Sequence, residues 1–386
     1  MQITKTIKYL GVNDHSLDLF EGQYRVPNGM AYNSYLILDE QVAVMDTVER
    51  DFVDEWLGNL ERELGGSTPD YLIVQHMEPD HSAGIRIFLE RYPSAKVIAS
   101  QAAFKMMRGF FGTDFEDRRR IVTEGDVLPL GTHNLTFITA PMVHWPEVIM
   151  TYDSTDRVLF SADAFGKFGA LDVDEPWLDE ARRYYIGIVG KYGKQVEAVL
   201  KKAAGFDIAI ICSLHGPVLS ENIGYYIDKY ATWAAYRAEE QGVTIAYASI
   251  YGNTARAAGL LADRLREGGV TVALYDLSRT DKHAALADAF RFDRLVLASS
   301  TYNAGVFPPM REFISMLTER GYKNRRVALI ENGSWAPTAA KVMRDMLGDA
   351  VEYTERTVRI TSAVSDLTAA EIRSLADELA ADSTAD

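Results

Sequence analysis

The chain has 386 residues, more than one hydrophobic core usually supports, so two domains are expected. Asp and Glu outnumber Lys and Arg by 55 to 40, and the net charge of −15 repels phosphate backbones, which removes nucleic acid from the expected partners. A single cysteine, Cys212, excludes an intramolecular disulfide and a four-cysteine metal centre, so any transition metal must be held by nitrogen and oxygen. The opening MQITKTIKYLGVNDHSL lacks the apolar core of a signal peptide, and no apolar run approaches the roughly 18 to 20 residues of a membrane span. A soluble, cytoplasmic protein is expected.

The first half begins with two strand-like segments, YNSYLILD (32–39) and QVAVMDTV (41–48), joined by a tight turn at Asp39-Glu40. DFVDEWLGNLEREL (51–64) has apolar residues at helical spacing. A strand at 71–75, a helix after Ser82, a strand KVIAS (96–100) and the strand pair LTFITAP (135–141) and EVIMTYD (147–153) follow, which reads as a layered α/β domain with hairpins. The helical stretch IGYYIDKYATWAAYRAEE (223–240) leads to a change of rhythm near Gln241-Gly242, giving domains of 1–241 and 242–386. Beyond it, VTIAYAS (243–249), VTVALYDL (270–277), RLVLASS (294–300), RVALIEN (326–332) and TVRITS (357–362) are short β-branched runs separated by helix-length segments. Buried strands alternating with helices predict a doubly wound parallel sheet. The acidic tail LADELAADSTAD (375–386) reads as a final helix that frays.

The segment YLIVQHMEPDHSAG (71–84) ends an apolar run in four potential ligands, His76, Glu78, Asp80 and His81. Three more residues stand where an apolar strand runs out: His144 in FITAPMVHW, Asp163 in VLFSADAFG and His215 in AIICSLHGP. Ligands at strand ends converge on one edge of a sheet, on rigid elements with accessible loops. Seven ligands exceed the needs of one ion but suit two that share a carboxylate, and Asp163, with one oxygen for each metal, is the natural bridge. Carboxylate mixed with imidazole favours iron or manganese, although affinity order alone does not exclude zinc. His15, His133 and His283 lack this context and are expected to be structural.

In the second half, Ser249-Ile250-Tyr251-Gly252-Asn253-Thr254 links a strand to a helix. Hydroxyls, a glycine and free helix N-terminal amides suit a phosphate. The loop lacks the lysine of GxxxxGK[ST] and also lacks GxGxxG, so a flavin mononucleotide fits better than a nucleoside triphosphate or a dinucleotide. Two later loops, SSTYNAGVFPPM (299–310) and ENGSWAPTAAK (331–341), are expected on the carboxyl edge of the same sheet. Tyr302 and Trp335 could flank an aromatic ring, with Thr301, Asn303, Ala304, Gly305 and Ser334 at its polar rim.

Taken together, these motifs resemble the flavodiiron proteins, also termed A-type flavoproteins, over nearly the whole chain. The resemblance implies an α/β fold: a metallo-β-lactamase-like αββα domain followed by a flavodoxin-like domain that binds FMN. It implies that His76, Glu78 and His144 hold one iron and Asp80, His81 and His215 the other, with Asp163 bridging a non-haem diiron centre. Members reduce dioxygen to water or nitric oxide to nitrous oxide. They usually form head-to-tail homodimers, alone or as dimers of dimers, in which the flavin of one subunit faces the diiron site of its partner. With no fused rubredoxin or flavin reductase, an external donor is expected, either reduced rubredoxin or, as in some archaeal relatives, reduced deazaflavin. Ala304 departs from the pattern, standing where many flavodoxin-like loops carry a second asparagine.

Two ferrous ions and a reduced flavin together hold the four electrons that dioxygen needs, while coupling two nitric oxide molecules needs two. The competing reading is a zinc hydrolase fused to a flavodoxin, because one scaffold hosts several chemistries. Glu78, where a hydrolytic site would favour histidine, is the feature that separates them. Tyr24, Arg25, Asn28 and Trp145 are candidates for the gas pocket, with loop packing as the alternative role for each.

Overall fold

The computed structural model describes residues 1–381. The last five residues of the expected acidic helix lie outside the described residues; the helix itself runs Asp366–Ala381. The chain divides into two compact units, Met1–Ala231 and the remainder from Thr232. The division falls inside the helix Ile223–Ala234, ten residues before the expected boundary at Gln241, which itself lies in the strand Glu240–Ala248. The intervening residues are already tied into the second unit. The Tyr236 carbonyl accepts from Arg325 at 2.7 Å, and the Glu239 amide donates to the Arg291 carbonyl at 2.8 Å.

The first unit is built on two sheets. One runs in the order Ile7–Tyr9, Tyr35–Ile37, Ala43–Met45, Tyr71–Ile73, Lys96–Ala99, Arg119–Ile121, and the other Val127–Pro129, Asn134–Thr139, Ile149–Asp153, Val158–Phe160, Ile210–Cys212. Alternation along each strand decides which layer a residue joins. Tyr35, Ile37, Met45, Ile73 and Ile98 face inward onto Leu135, Phe137, Ile149 and Phe160 of the second sheet. Their neighbours Leu36, Val44, Leu72 and Val97 face outward into a helical layer. These strands are therefore apolar on both faces and read as continuous hydrophobic runs. The helix Val53–Leu64 buries Val53, Trp56, Leu60 and Leu64 as one stripe and ends at Gly65, whose φ of 56° completes a left-handed cap.

The main path of the second unit's sheet is ordered Val272–Asp276, Glu240–Ala248, Phe292–Tyr302, Arg326–Asn332, Glu352–Ile360, each of these pairs parallel, and the two-residue strand Gly305–Val306 pairs antiparallel with the end of Phe292–Tyr302. Numbered in chain order, the five parallel strands run 2-1-3-4-5, a doubly wound arrangement whose ligand crevice lies outside the strand carboxyl ends. The helices Asn253–Glu267 and Asp366–Ala381 cover one face through Ala258, Leu261, Leu265, Ile372, Leu375 and Leu379. Lys282–Arg291, Pro308–Glu319 and Ala339–Leu347 complete the helical complement of this unit. Among the described residues, no helix is long and apolar enough to cross a membrane.

Candidate metal centre and flavin pocket

The seven expected ligands come from four loops that follow strands. His76 and Glu78 occupy the segment after Tyr71–Ile73; two apart on extended chain, they face the same way. Pro79 then opens a one-turn helix, Pro79–Ser82, with Glu78 at its N-cap. The helical turn swings Asp80 and His81 away from the direction of His76 and Glu78. A change from extended to helical chain, rather than continued alternation, thus splits the motif into two pairs. His144, Asp163 and His215 arrive from the second sheet, after Asn134–Thr139, Val158–Phe160 and Ile210–Cys212.

The side chains gather into two groups, His76, Glu78, His144 and Asp163 in one and Asp80, His81 and His215 in the other. Glu78 Oε2 lies 3.2 Å from His76 Nε2 and 3.0 Å from His144 Nε2. Asp80 Oδ2 lies 3.3 Å from His81 Nε2 and 3.4 Å from His215 Nε2. Asp163 serves both groups with different oxygens: Oδ2 is 3.1 Å from His144 Nε2 and 3.5 Å from His76 Nε2, while Oδ1 is 3.4 Å from His81 Nε2 and 3.9 Å from His215 Nε2.

Hydrogen-bond chemistry tests whether metal ions fit here. His215 Nδ1 faces the Ala31 carbonyl at 2.8 Å and His76 Nδ1 faces Glu147 Oε1 at 2.9 Å, so in each neutral ring Nδ1 carries the proton and Nε2 is a lone pair. Those lone pairs point at carboxylate oxygens, which are acceptors too. His81 Nε2 and His215 Nε2 approach to 3.0 Å, and both Asp80 oxygens and Asp163 Oδ1 are buried without a hydrogen-bond partner. Convergent buried acceptors are costly unless a cation joins them. Donor atoms about 2.1 Å from an ion stand about 3 Å apart at neighbouring corners, which is the spacing seen. The residues fit two metal ions.

The electrostatics agree. Burial opposes ionisation of Asp163, yet the surrounding His76, His144, His81 and His215 hold its carboxyl well below the usual range. Burial likewise works against Glu78, but the neighbouring His144 and His76 bring it to about 2. Burial disfavours charge on His144, and bonds to Asp163 and Glu78 override this and lift it to about 9. His81 is pushed down to about 4 by burial. Burial also disfavours charge on His76 and His215, and the carboxylates of Asp163, Glu147 and Glu78 around the first and of Asp80 and Asp163 around the second override it, so the cradle draws positive charge, whether as protons or as metal ions.

Several residues that the sequence reading did not single out complete the cradle. Glu147 accepts from His76 Nδ1 and from the Met77 amide at 2.8 Å. Asp46, fully buried, accepts from the Gln75 amide at 2.7 Å and the His76 amide at 3.3 Å, fixing the chain that leads into the motif. Phe20, Tyr32 and Tyr184 pack around the His215 ring, and the Tyr184 hydroxyl is buried without a partner. A faint signal existed for Glu147: a carboxylate opening an apolar strand, three residues past a ligand histidine. Of the gas-pocket candidates, Trp145 sits 5.3 Å from the His76 ring. Tyr24 packs on Phe168, the Arg25 carbonyl accepts from Arg183 and Asn28 donates to Glu175, so these three are engaged in packing. His15 pairs with Asp172 at the surface, and His283 lies 3.4 Å from Asp281.

In the second unit, the three expected loops enclose a cavity of about 590 Å³ at the carboxyl ends of the strands. Ser249, Ile250, Tyr251, Asn253, Thr254, Thr301, Asn303, Ala304, Ser334 and Trp335 line it, joined by Ser300, Asn332, Gly333, Ala336, Thr338 and Ser362. Gly252, Tyr302 and Gly305 belong to the same loops without lining the cavity. The additional residues follow from position: Ser300 and Asn332 belong to the carboxyl ends of strands. Gly252, with φ of 89°, caps the helix Asn253–Glu267, and its amide donates to Ser249 Oγ at 3.1 Å. Thr301 is committed elsewhere, its hydroxyl accepting the Thr338 and Ala339 amides that begin a helix. Asn303 and Ala304, φ 50° and 56°, form a two-residue hairpin turn between Tyr302 and Gly305. Left-handed chain suits Asn or Gly there, so Ala304 is a strained choice.

Comparison with known proteins agrees with both sites. The ODP family β-lactamase model matches residues 30–216, and the flavodoxin model matches residues 245–349. The anaerobic nitric oxide reductase flavorubredoxins of Vibrio vulnificus and Aeromonas hydrophila are 30% and 31% identical over 363 residues, covering 91% of this chain and 73% of each relative. The chain belongs to the flavodiiron protein family. Solved flavodiiron folds superpose over almost its full length. The rubredoxin:oxygen oxidoreductase of Desulfovibrio gigas gives a TM-score of 0.92 at 24% identity, covering 99% of this chain and 98% of that one. The flavodiiron protein of Giardia intestinalis gives 0.91 at 23%, covering 98% and 96%. As a flavodiiron protein the chain is an oxidoreductase, not the hydrolase that its first domain alone would allow.

Proposed function

We propose that this protein reduces dioxygen to water, nitric oxide to nitrous oxide, or both, at a non-haem diiron centre in the domain 1–241, supplied with electrons by FMN in the domain 242–386. The observation that carries the reading is Asp163, whose two oxygens face two separate histidine–carboxylate groups. His76, Glu78 and His144 would hold one iron, Asp80, His81 and His215 the other, and Asp163 would join them. When bound, the irons and the reduced flavin supply up to four electrons and an open position that polarises the gas.

The chain's own residues set the conditions for that chemistry. The backing of His76 by Glu147 and of His215 by the Ala31 carbonyl keeps Nε2 of each ring free for a metal. Phe20, Tyr32 and Tyr184 on one side and Trp145 on the other wall the centre with aromatic rings, which keeps bulk water away while admitting a small apolar gas. The Tyr184 hydroxyl, within the field of Asp163, Glu78 and Asp80, retains its proton because burial and those charges raise its pKa, so it can donate a hydrogen bond into the site. In the second domain, Ser249, Asn253 and Thr254 would take the FMN phosphate at a helix N-terminus, and Tyr251 and Trp335, 92% and 90% exposed, would flank the ring. The protein would work in the cytoplasm as a head-to-tail homodimer or a dimer of dimers, with rubredoxin or reduced deazaflavin as donor.

Anaerobic consumption of each gas by iron-loaded, flavin-reduced protein, with donors compared in parallel, tests the proposal. Rapid loss of at least one gas is expected. Fully loaded protein that holds two zinc ions, no iron and consumes neither gas overturns it.

A further inference from the structure

His76 is anchored unlike His81 and His215. Its Nδ1 donates to Glu147 Oε1 at 2.9 Å, and the Glu147 side chain is fully buried. Among the described residues, no lysine or arginine pairs with that carboxylate, and its Oε2 has no hydrogen-bond partner. His215 Nδ1 instead donates to the neutral carbonyl of Ala31, and His81 Nδ1 has no partner. Glu147 is held by more than the histidine: the Met77 amide donates to the same oxygen, and Ser100 Oγ donates to its backbone carbonyl at 2.8 Å.

An imidazole that donates to a buried carboxylate becomes a stronger donor through its other nitrogen, and a carbonyl partner does less. The group of His76, Glu78 and His144 therefore draws on three carboxylates, the half-buried Glu78 and the buried Asp163 and Glu147. The group of Asp80, His81 and His215 draws on two. The extra negative charge lies behind one position only, in a region with little water to screen it.

We propose that Glu147, acting through His76, makes the two metal positions unequal, strengthening binding at the His76–Glu78–His144 position and favouring the more oxidised ion there. With iron bound and half-oxidised, the position held by His76 would favour the ferric ion and the position held by His215 the ferrous one. The inference rests on the diiron reading above. Glu147 is a positioning residue, since it touches a ligand and not the metal.

Metal-free protein titrated with cobalt(II) gives the first readout. Wild type should take up two ions in distinguishable steps, and Glu147→Gln, which keeps the acceptor but removes the charge, should weaken one step by roughly 10- to 100-fold and leave the other. In iron-loaded, half-reduced samples the electron paramagnetic signal of the mixed-valent pair should shrink in Glu147→Gln, because the two positions have become more alike. Two steps unchanged, or both weakened equally, overturn the proposal. Should Glu147→Gln not fold, Glu147→Asp, which retracts the carboxylate by one methylene, decides in the same way: one weakened step supports it, and equal or unchanged steps overturn it. Wild type that binds fewer than two ions would instead fail the diiron reading, which separates the two failures.

Discussion

Two clusters in the first unit contain the same residue types and behave differently. His133, Asp153 and Asp156 lie close enough together to chelate an ion, as do the members of the cradle around Asp163. In the first cluster every ring nitrogen has a protein partner. His133 Nδ1 donates to Asp153 Oδ2 at 3.0 Å, and Nε2 meets the Thr6 hydroxyl at 2.9 Å. Asp153 also accepts the Thr155 and Asp156 amides. Around Asp163, lone pairs face lone pairs, and buried oxygens have nothing to accept. Composition and proximity thus do not make a metal site; convergent acceptors left unsatisfied by protein do.

The largest effect should come from removing the atom that joins the two groups. Asp163→Ala deletes the two oxygens that face the two groups and leaves His76, His81, His144 and His215 around a less anionic hole. Metal content should fall below two ions per chain and gas consumption by more than about 100-fold, since ligand loss exceeds the 10- to 100-fold cost of losing an outer partner. FMN content should not change. His133→Gln is the paired control, with two ions retained. A loss of metal in His133→Gln equal to that in Asp163→Ala would erase the distinction between the clusters.

The cavity of the second unit shows a third arrangement, lined by hydroxyls and amides and not by charges. Thr254 is buried at the helix N-terminus, with its hydroxyl 3.0 Å from Ser300 Oγ. Thr254→Val preserves shape and removes one hydroxyl. A hydrogen bond to a charged group contributes about 1.5–3 kcal/mol, so FMN should bind roughly 10- to 100-fold more weakly by fluorescence titration, with metal content unchanged. Unaltered FMN affinity would remove Thr254 from the phosphate site.

These contrasts explain what could be read from the sequence. The central strands of the second unit were legible because they are buried on both faces along most of their length, and RVALIEN coincides with its strand, Arg326–Asn332, whereas the edge strand Glu352–Ile360, exposed at alternate and successive positions, begins five residues before the run TVRITS that marked it. The unit boundary was less so, because the Tyr236–Glu239 segment reads as helix while its contacts, with Arg291 and Arg325, belong to the unit that follows. All seven residues named as ligands meet in space, since each terminates an apolar run and strand ends of packed sheets converge. Glu147, Asp46 and Tyr184 escaped because their roles depend on partners 71, 29 and 31 positions away, at His76, Gln75 and His215, and no local pattern encodes such pairings. Ser300 and Asn332 escaped for a milder reason, as strand-terminal polar residues look like ordinary strand ends.

The smallest effect, and the sharpest on the satisfied cluster, concerns pH. The hydrogen bond to Asp153 raises the His133 pKa above its ordinary value; burial opposes this and the charges of Asp153, Asp156 and Asp39 add to it. A histidine whose folded pKa is raised stabilises the protein fully below its unfolded pKa of about 6.5, and that contribution is lost as pH rises through the folded pKa. The wild-type melting temperature should therefore fall, relative to that of His133→Gln, as pH is raised from about 6 through the window above 6.5, by a few degrees at most. Both proteins should be compared free of metal and again with metal bound, because the cradle titrates too. Parallel melting curves across that window would mean that the His133 ring stays neutral in the folded protein and serves Asp153 and Thr6 only as a shaped hydrogen-bond partner.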